Sequence, residues 1–347
     1  MFRRLIHQFS LPKRARARVA GYAGNAGVIA TAGVALAGLL VGAFAAYLSE
    51  RGAIATASRT IDPRELTRAR ATESALLERD RVVASIIAGE RPPERLTPPP
   101  INMITNQSEV RPRVIIIIDD MGVDRRASEM ALALPGPVTF SFLPYARNVD
   151  ELAEKARLAG GEIMLHLPME PRSNADPGPH ALKTGMTGGS FIKDLEWNLS
   201  RFNGYVGVNN HMGSKLTADV AAMKTLLAYL DHRKLFFLDS LTTDATAVRS
   251  AAREIGVSVY ARDVFLDDAV GDKESIRRQL ALAEHIARET GYVVAIGHPR
   301  KETLEILGPW LTSAPARGFE LVYASALPAL TAPPKETALA AAPDLRL

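Results

Sequence analysis

The chain has 347 residues, 47% of them hydrophobic, which suffices for one large or two modest globular domains. Its formal net charge of +4 arises at the start of the chain: six of the 42 basic residues precede Val19, and the remaining 36 face 38 acidic residues. The near-neutral remainder gives no indication of nucleic-acid binding, and the lack of cysteine excludes thiolate metal sites and a cysteine nucleophile.

The N-terminal region carries a candidate membrane anchor. Positions 19–48 contain no charged residue and follow basic residues, a pattern typical of a transmembrane helix whose N-terminal side is cytoplasmic. We predict a basic leader at residues 1–25 and a single-pass anchor at 26–48. In a Gram-negative-type cell this places the protein in the inner membrane, with the rest of the chain in the periplasm. A cleaved signal peptide is the alternative, since Ala43 and Ala45 resemble a small-residue cleavage site.

Residues 49–110 are predicted to form a stalk between the anchor and the folded body. Asp62 suits an N-cap and Pro63 a first helical position, so the pattern predicts a helix from Pro63 to about Ala88. Its apolar stripe is interrupted by Arg and Glu, which favours a solvated helix over a dimerising coiled coil. A stiff Pro-rich spacer follows it, and residues 332–347 are predicted to be a disordered tail.

Residues 111–331 are predicted to form the folded body, because strand and helix patterns alternate there. The uninterrupted aliphatic run Val114 to Ile118 is typical of a buried, central parallel strand. Eight candidate strands in about 210 residues favour a distorted (β/α) barrel, and no Gly-rich nucleotide-binding motif follows any of them. The candidate strands are Val114 to Ile118, Val138 to Leu143, Glu162 to Leu167, Tyr205 to Asn209, Leu235 to Leu238, Val257 to Tyr260, Tyr292 to Ile296 and Phe319 to Tyr323.

Residues able to bind a metal or to move a proton follow most of these strands. Because the carboxyl ends of parallel strands share one rim, we expect these side chains to converge. One carboxylate and two imidazoles with an open position form the shell of a hydrolytic Zn²⁺. Taken alone, a histidine in such a place is most often a packed or capping residue, and an aspartate after a strand also caps the next helix. The residues concerned are Asp119, Asp120, His166, Glu170, His211, Asp239, Asp263, Asp267 and His298.

Two further features are open to both structural and functional interpretations. The Pro- and Gly-rich stretch from Arg172 to Gly189 is long enough to be a substrate lid, or it is a plain connection. Ser240 beside Asp239 could suggest a nucleophile, but no G-x-S-x-G sequence surrounds it, so we predict a structural role.

The segments IIIIDDMG, EIMLHLPMEP, GVNNHMGS, FLDS and AIGHP, in this order, resemble the divergent polysaccharide deacetylases, relatives of the NodB-type carbohydrate esterases. The resemblance covers about residues 111 to 330. It implies a distorted β/α barrel that removes acetyl groups from N-acetylated sugars with the help of a metal. Residue by residue, it implies that Asp119 is the general base, Asp120 and His166 are metal ligands, and His298 protonates the leaving amine.

The chain departs from the pattern of the ordinary deacetylases at two places. Glu170 occupies the position of their second histidine ligand, so His211 is the candidate replacement, and no arginine-proline-tyrosine motif follows the fourth strand. We therefore predict an amide-cleaving hydrolase of an envelope or extracellular glycan, with Zn²⁺ held by Asp120, His166 and His211. Four acids are possible additional site residues. Glu170 could still bind a hard cation, and Asp239, Asp263 and Asp267 could orient histidines or hold sugar hydroxyls.

Two alternatives remain open from the sequence. The first is a binding or scaffold protein of the envelope that keeps the barrel and has lost turnover. The second is a glycoside hydrolase that uses Asp119 and Asp239 as its carboxylate pair.

Overall fold

The computed structural model describes residues 63–89 and 111–331, with side chains in the first segment described from Thr72 onward. The predicted leader, anchor, Pro-rich spacer and C-terminal tail lie outside these residues. Among the helices of the described segments, none combines the length and the apolar character needed to cross a bilayer.

Strands and helices alternate through the described body. The strands are β1 (Arg113–Met121), β2 (Thr139–Phe142), β3 (Glu162–Met169), β4 (Gly207–Met212), β5 (Phe236–Asp239), β6 (Val259–Ala261), β7 (Val264–Phe265), β8 (Tyr292–Gly297) and β9 (Glu320–Val322). The helices are α1 (Pro63–Ile87), α2 (Arg125–Ala131), α3 (Val149–Leu158), α4 (Gly188–Leu199), α5 (Val220–His232), α6 (Val248–Ile255), α7 (Lys273–Thr290), α8 (Lys301–Ser313) and α9 (Leu327–Thr331).

The nine strands form one parallel sheet in the order β6-β5-β4-β3-β2-β1-β8-β7, and β9 pairs with the start of β1. The two ends of this order, β6 and β7, are consecutive in the chain and separated by two residues, Arg262 and Asp263. The sheet is therefore curled, as the predicted barrel requires. All eight predicted strands are confirmed, whereas the two-residue strand β7 was not predicted because it is too short to show a period.

Strand β1 lies between two layers of apolar side chains, which is why its sequence shows no polar alternation. Val114, Ile116 and Ile118 belong to the core between the sheet and the outer helices. Ile115 and Ile117 belong to the core inside the curl, which also contains Leu327 of α9. Burying each of these side chains stabilises the fold by about 1.5–3 kcal/mol. The strand is thereby fixed as the rigid centre from which the acidic pair follows.

Helix α1 was predicted to be a solvated stalk, and this interpretation is wrong. The helix exists with the predicted bounds, but it packs against α7, and its side chains Thr72, Val83 and Ile86 are at most 8% exposed. The interruption of its apolar stripe misled the prediction, because Arg79 lies at a core-facing position and is paired there with Asp263. Helix α1 is thus part of the folded body.

Candidate metal centre

The side chains at the carboxyl ends of the strands converge because they continue the interior face of the curled sheet. Successive strand residues point to opposite faces, so a residue two positions beyond an interior one is also interior. Met164 and Ile296 lie in the interior core, which places His166 and His298 on the same face. On β4, Val208 lies in the outer core, which leaves Asn209 and His211 on the interior face. The interior file of β1 ends at Asp119, two residues after Ile117.

Strict alternation along β1 would point Asp120 outward, so its inward position requires an irregularity in the strand. The register between β1 and β2 shifts between Ile118 and Met121, so β1 contains a bulge. Met121 then returns to the outer core, and Asp120, the extra residue, adopts a left-handed backbone with φ of 56°. Such a conformation is unusual for a residue other than glycine and is often found at functional sites. The bulge brings two consecutive carboxylates into one cleft.

Three ligand atoms form a compact triangle at this rim. Oδ1 of Asp120 lies 2.9 Å from Nδ1 of His211 and 3.3 Å from Nε2 of His166, and these two nitrogens are 3.3 Å apart. Metal–nitrogen and metal–oxygen bonds of about 2.0–2.1 Å in a tetrahedral zinc site place the ligand atoms roughly 3.3 Å from one another. Asp120, His166 and His211 therefore form a possible metal site by distance.

The hydrogen bonds of the triangle also fit a cation. Nδ1 of His166 lies 2.9 Å from Oδ1 of Asn209, and it donates there because the amide nitrogen of Asn209 is directed at Asp119. Nε2 of His166 is left with its lone pair facing Asp120 and His211. Oδ1 of Asp120 is buried and accepts no hydrogen bond among the described residues. A positive charge shared with the two imidazoles would satisfy this buried acceptor.

Electrostatics at the rim favour positive charge between the two aspartates. Burial alone would raise the pKa of Asp120, but His166 and His211 hold it well below its usual range. Burial opposes the charge of His166, yet Asp119 and Asp120 together raise its pKa. The pKa of Asp119 is itself raised, because its complete burial outweighs the influence of His166, His298 and Asn209.

Asn209 joins the two halves of the site and was not assigned a role by the sequence analysis. Its Nδ2 donates to both oxygens of Asp119 at 2.8 and 3.0 Å. Its Oδ1 accepts from Ser141 at 2.5 Å besides contacting His166. Nδ2 also lies 3.2 Å from Oγ of Ser240, which gives that serine the structural role predicted for it. The motif GVNNHMGS indicated this strand. The side chain of Asn209 is neither acidic nor basic, so its residue type did not indicate a role in the site.

His298 lies on the other side of Asp120, with its Nε2 3.8 Å from Oδ2. Its Nδ1 is 2.9 Å from Oδ1 of Asp267, whose Oδ2 accepts from the His298 backbone N–H and from Thr303. Burial opposes the charge on His298, but Asp267 raises its pKa, and the same pair lowers the pKa of Asp267 against its own burial. Asp267 thus orients a histidine, one of the two roles considered for it.

The other three candidate acids lie outside the triangle. Glu170 pairs with Lys215 at 2.7 Å and accepts two hydrogen bonds from Thr184. Burial alone would raise its pKa, but these partners together lower it to about 2. Asp239 accepts from Thr246 and from a backbone N–H, and burial raises its pKa. Asp263 pairs with Arg79 and accepts from a backbone N–H, so its oxygens are bound to these groups and not to a histidine.

Two further residues of the rim were assigned no role by the sequence analysis. Arg262 donates to the carbonyl oxygens of Ser240 and Leu241, and its burial lowers its pKa while Asp119 raises it. Tyr145 is half-buried, and burial followed by the charge of Asp120 raises its pKa to about 12, so its hydroxyl remains a hydrogen-bond donor. Both residues lie in connections that follow strands, and in such connections the sequence does not indicate where a side chain points.

Comparisons with known proteins agree with this architecture. The chain is 34% identical over 215 residues to the uncharacterized protein YibQ of Escherichia coli (strain K12), covering 62% of this chain and 67% of that one. It is 32% identical over 213 residues to an uncharacterized protein of Haemophilus influenzae, covering 61% and 76%. The crystal structure of an uncharacterized protein from Agrobacterium tumefaciens C58 has a TM-score of 0.61 at 30% identity, over 62% and 89% of the two chains.

The family assignment follows from the match of the body itself. The sequence model of the divergent polysaccharide deacetylases matches residues 116–328, which contain the whole triangle, Asp119 and His298. The chain therefore belongs to the divergent polysaccharide deacetylase family.

Proposed function

We propose that the protein is a metal-dependent deacetylase that hydrolyses the amide bond of an N-acetylated sugar in an envelope or extracellular glycan. Membership of the family supports a glycan substrate. The observation that carries the proposal is the triangle of Asp120, His166 and His211, whose edges of 2.9, 3.3 and 3.3 Å suit one shared cation. Two imidazoles and a carboxylate favour zinc.

The triangle, Asp119, His298 and Asp267 have separate roles in this reaction. A divalent cation bound at the triangle would polarise the acyl oxygen and acidify a water molecule beside it. Asp119, whose Oδ2 lies 3.7 Å from Nε2 of His166, would accept the proton of the attacking water. His298 donates a proton to the amine nitrogen as the carbon–nitrogen bond breaks, and Asp267 holds its ring in place. The products are acetate and a free amino sugar.

The flanking groups agree with these assignments. The pKa of Asp119 is raised by burial, which brings a carboxylate towards the range of an effective base. The pKa of His298 is raised by Asp267 against the opposing effect of burial, which keeps an imidazolium available as the acid. Tyr145 is the neutral donor on the same rim that could bind the acyl oxygen.

Metal analysis of the purified protein is the direct test. We expect about one divalent ion per chain, and we expect the double variant Asp120→Ala with His166→Ala to lose it. His180→Ala is the matched control, since His180 pairs with Asp194 instead of the triangle. A protein without bound metal, or a double variant that retains it, would remove the basis of the mechanism.

A catalytically impaired binding protein is the second candidate. It is favoured by Glu170, which occupies a ligand position of ordinary deacetylases and instead pairs with Lys215. Acetate release from chitooligosaccharides and peptidoglycan fragments separates the candidates, because Asp119→Asn abolishes release by a deacetylase. Release of reducing sugar in place of acetate would indicate the glycoside hydrolase. The inner-membrane anchor and the periplasmic location stay predictions from sequence.

A further inference from the structure

Helix α1 occupies a place that the parallel fold leaves uncovered. Every other pair of consecutive strands in the described sheet is joined through a helix, whereas β6 and β7 are joined by Arg262 and Asp263 alone. Helix α1 packs against α7, which follows β7. It also forms ion pairs with α6, which precedes β6, through Asp80 with Arg249 and Glu73 with Arg253. It therefore lies over the junction between the two edge strands.

The inward face of α1 is a regular stripe with one charged member. Thr72, Leu76, Arg79, Val83 and Ile86 follow a spacing of four and three residues, which is the spacing of one helix face. Thr72, Val83 and Ile86 are buried, and the Arg79 side chain is 10% exposed. An arginine in the middle of a buried face needs a partner to offset its desolvation.

That partner is Asp263. The two terminal nitrogens of the Arg79 guanidinium, Nη1 and Nη2, donate to the two oxygens of Asp263 at 2.8 and 2.6 Å, and the Asp263 side chain is 5% exposed. One of these nitrogens also donates to the carbonyl oxygen of Tyr292 at 2.9 Å, and the guanidinium lies 3.8 Å above the Tyr292 ring. The bidentate pair and the stacked ring together fix the orientation of the Arg79 guanidinium and also balance its charge.

Asp263 in turn fixes the segment that carries the acid side of the site. Its backbone N–H donates to the Val294 carbonyl, and its Oδ2 accepts from the Val294 N–H. Arg262, one residue before it, binds the Ser240 carbonyl, and Asp267, four residues after it, orients His298. Arg79 thus binds the segment that also contains Asp267, the residue that orients the proposed proton donor His298.

We propose that Arg79 and Asp263 are positioning residues of the proposed deacetylase: helix α1 holds the segment 259–268 so that Asp267 presents His298 to the leaving amine. The inference rests on the proposed function for its catalytic consequence. Helix α1 lies outside the residues 116–328 that match the family, so this part of the chain adds an element that the family match does not include.

Hydrogen exchange of the full-length chain tests the positioning without relying on activity. In Arg79→Ala we expect exchange in segment 259–268 and at the His298 amide to rise about tenfold or more, with β4 unchanged. Arg81→Ala is the matched control, because Arg81 lies on the same helix with a side chain that is 78% exposed. Equal exchange in Arg79→Ala, Arg81→Ala and wild type, or a uniform loss of protection across the body, would overturn the proposal.

Kinetics provide the second measurement. We expect Arg79→Ala to lower kcat for acetate release about tenfold to a hundredfold with KM within about twofold and metal content unchanged, as for a residue that supports a catalytic group. Arg79→Lys retains the charge and loses the bidentate geometry, so its kcat should lie between those of wild type and Arg79→Ala. A parallel loss of metal or a change confined to KM would contradict the role. If wild type releases no acetate, the proposed function fails, and the exchange result still decides the positioning.

Discussion

Asn209 provides the sharpest test of how the site is held together. Replacing it with leucine keeps the side-chain volume similar and removes the donor to Asp119 and the acceptor for His166. Asn209 is completely buried, so water cannot substitute for either bond. Leaving a buried carboxylate and a buried ring N–H without partners costs about 1–3 kcal/mol each. We expect the free energy of unfolding of the metal-free protein to fall by about 3–5 kcal/mol in denaturant titration.

The same variant should weaken metal binding, because the carbonyl oxygen of Asn209 fixes which nitrogen of His166 faces the triangle. Loss of such an outer partner typically lowers metal affinity about 10–100-fold. Titration calorimetry with Zn²⁺ measures this. Asn198→Leu is the matched control: Asn198 is also completely buried, but it binds the carbonyls of His180 and Asp194. Zinc affinity in Asn209→Leu that equals the affinity in Asn198→Leu would refute the reasoning.

Three other variants test separate parts of the site. Asp267→Asn removes the carboxylate that orients His298, so kcat should fall about a hundredfold or more while metal content stays constant. Gly122→Ala places a Cβ 2.6 Å from that of Ala146 at a φ of +102°, so thermal unfolding should reveal a loss of about 2 kcal/mol or more. Glu170→Gln should leave zinc affinity unchanged. Because the pKa of Glu170 is lowered in the folded state, its ionised form stabilises the fold fully above about pH 4.5, and this stability is lost as the pH falls through about 2. The variant lacks this group, so between these two pH values its stability should fall less than that of wild type.

The strands and the rim were predictable because their signals are local. An uninterrupted aliphatic run identifies β1. An acid or a histidine at the end of such a run can be assigned to the carboxyl-end rim from the sequence alone. The convergence of Asp120, His166 and His211 follows from the parallel order of β1, β3 and β4 in one curled sheet.

The features that were missed depend on distance or on backbone geometry. Arg79 read as an interruption of an apolar stripe because its partner lies 184 residues away. The bulge that turns Asp120 inward is a property of pairing between β1 and β2, and residue type does not encode it. Asn209 acts only through its neighbours. In each case the missing information was the identity of a contact between elements that are remote in sequence.

The pairing of Arg79 with Asp263 sets an order on the synthesis of the protein. At roughly 5–20 residues per second, the ribosome needs about 10–40 s to add the 184 residues that separate them. During this interval the residues that α1 packs against have not been made, and most of the stability of a helix in a protein comes from the packing of its buried face. Its threonine and arginine at inward positions reduce the apolar area that is exposed to other nascent chains. The residues that interrupt the stripe therefore leave α1 with less exposed apolar area than a continuous stripe would until the last strands are made.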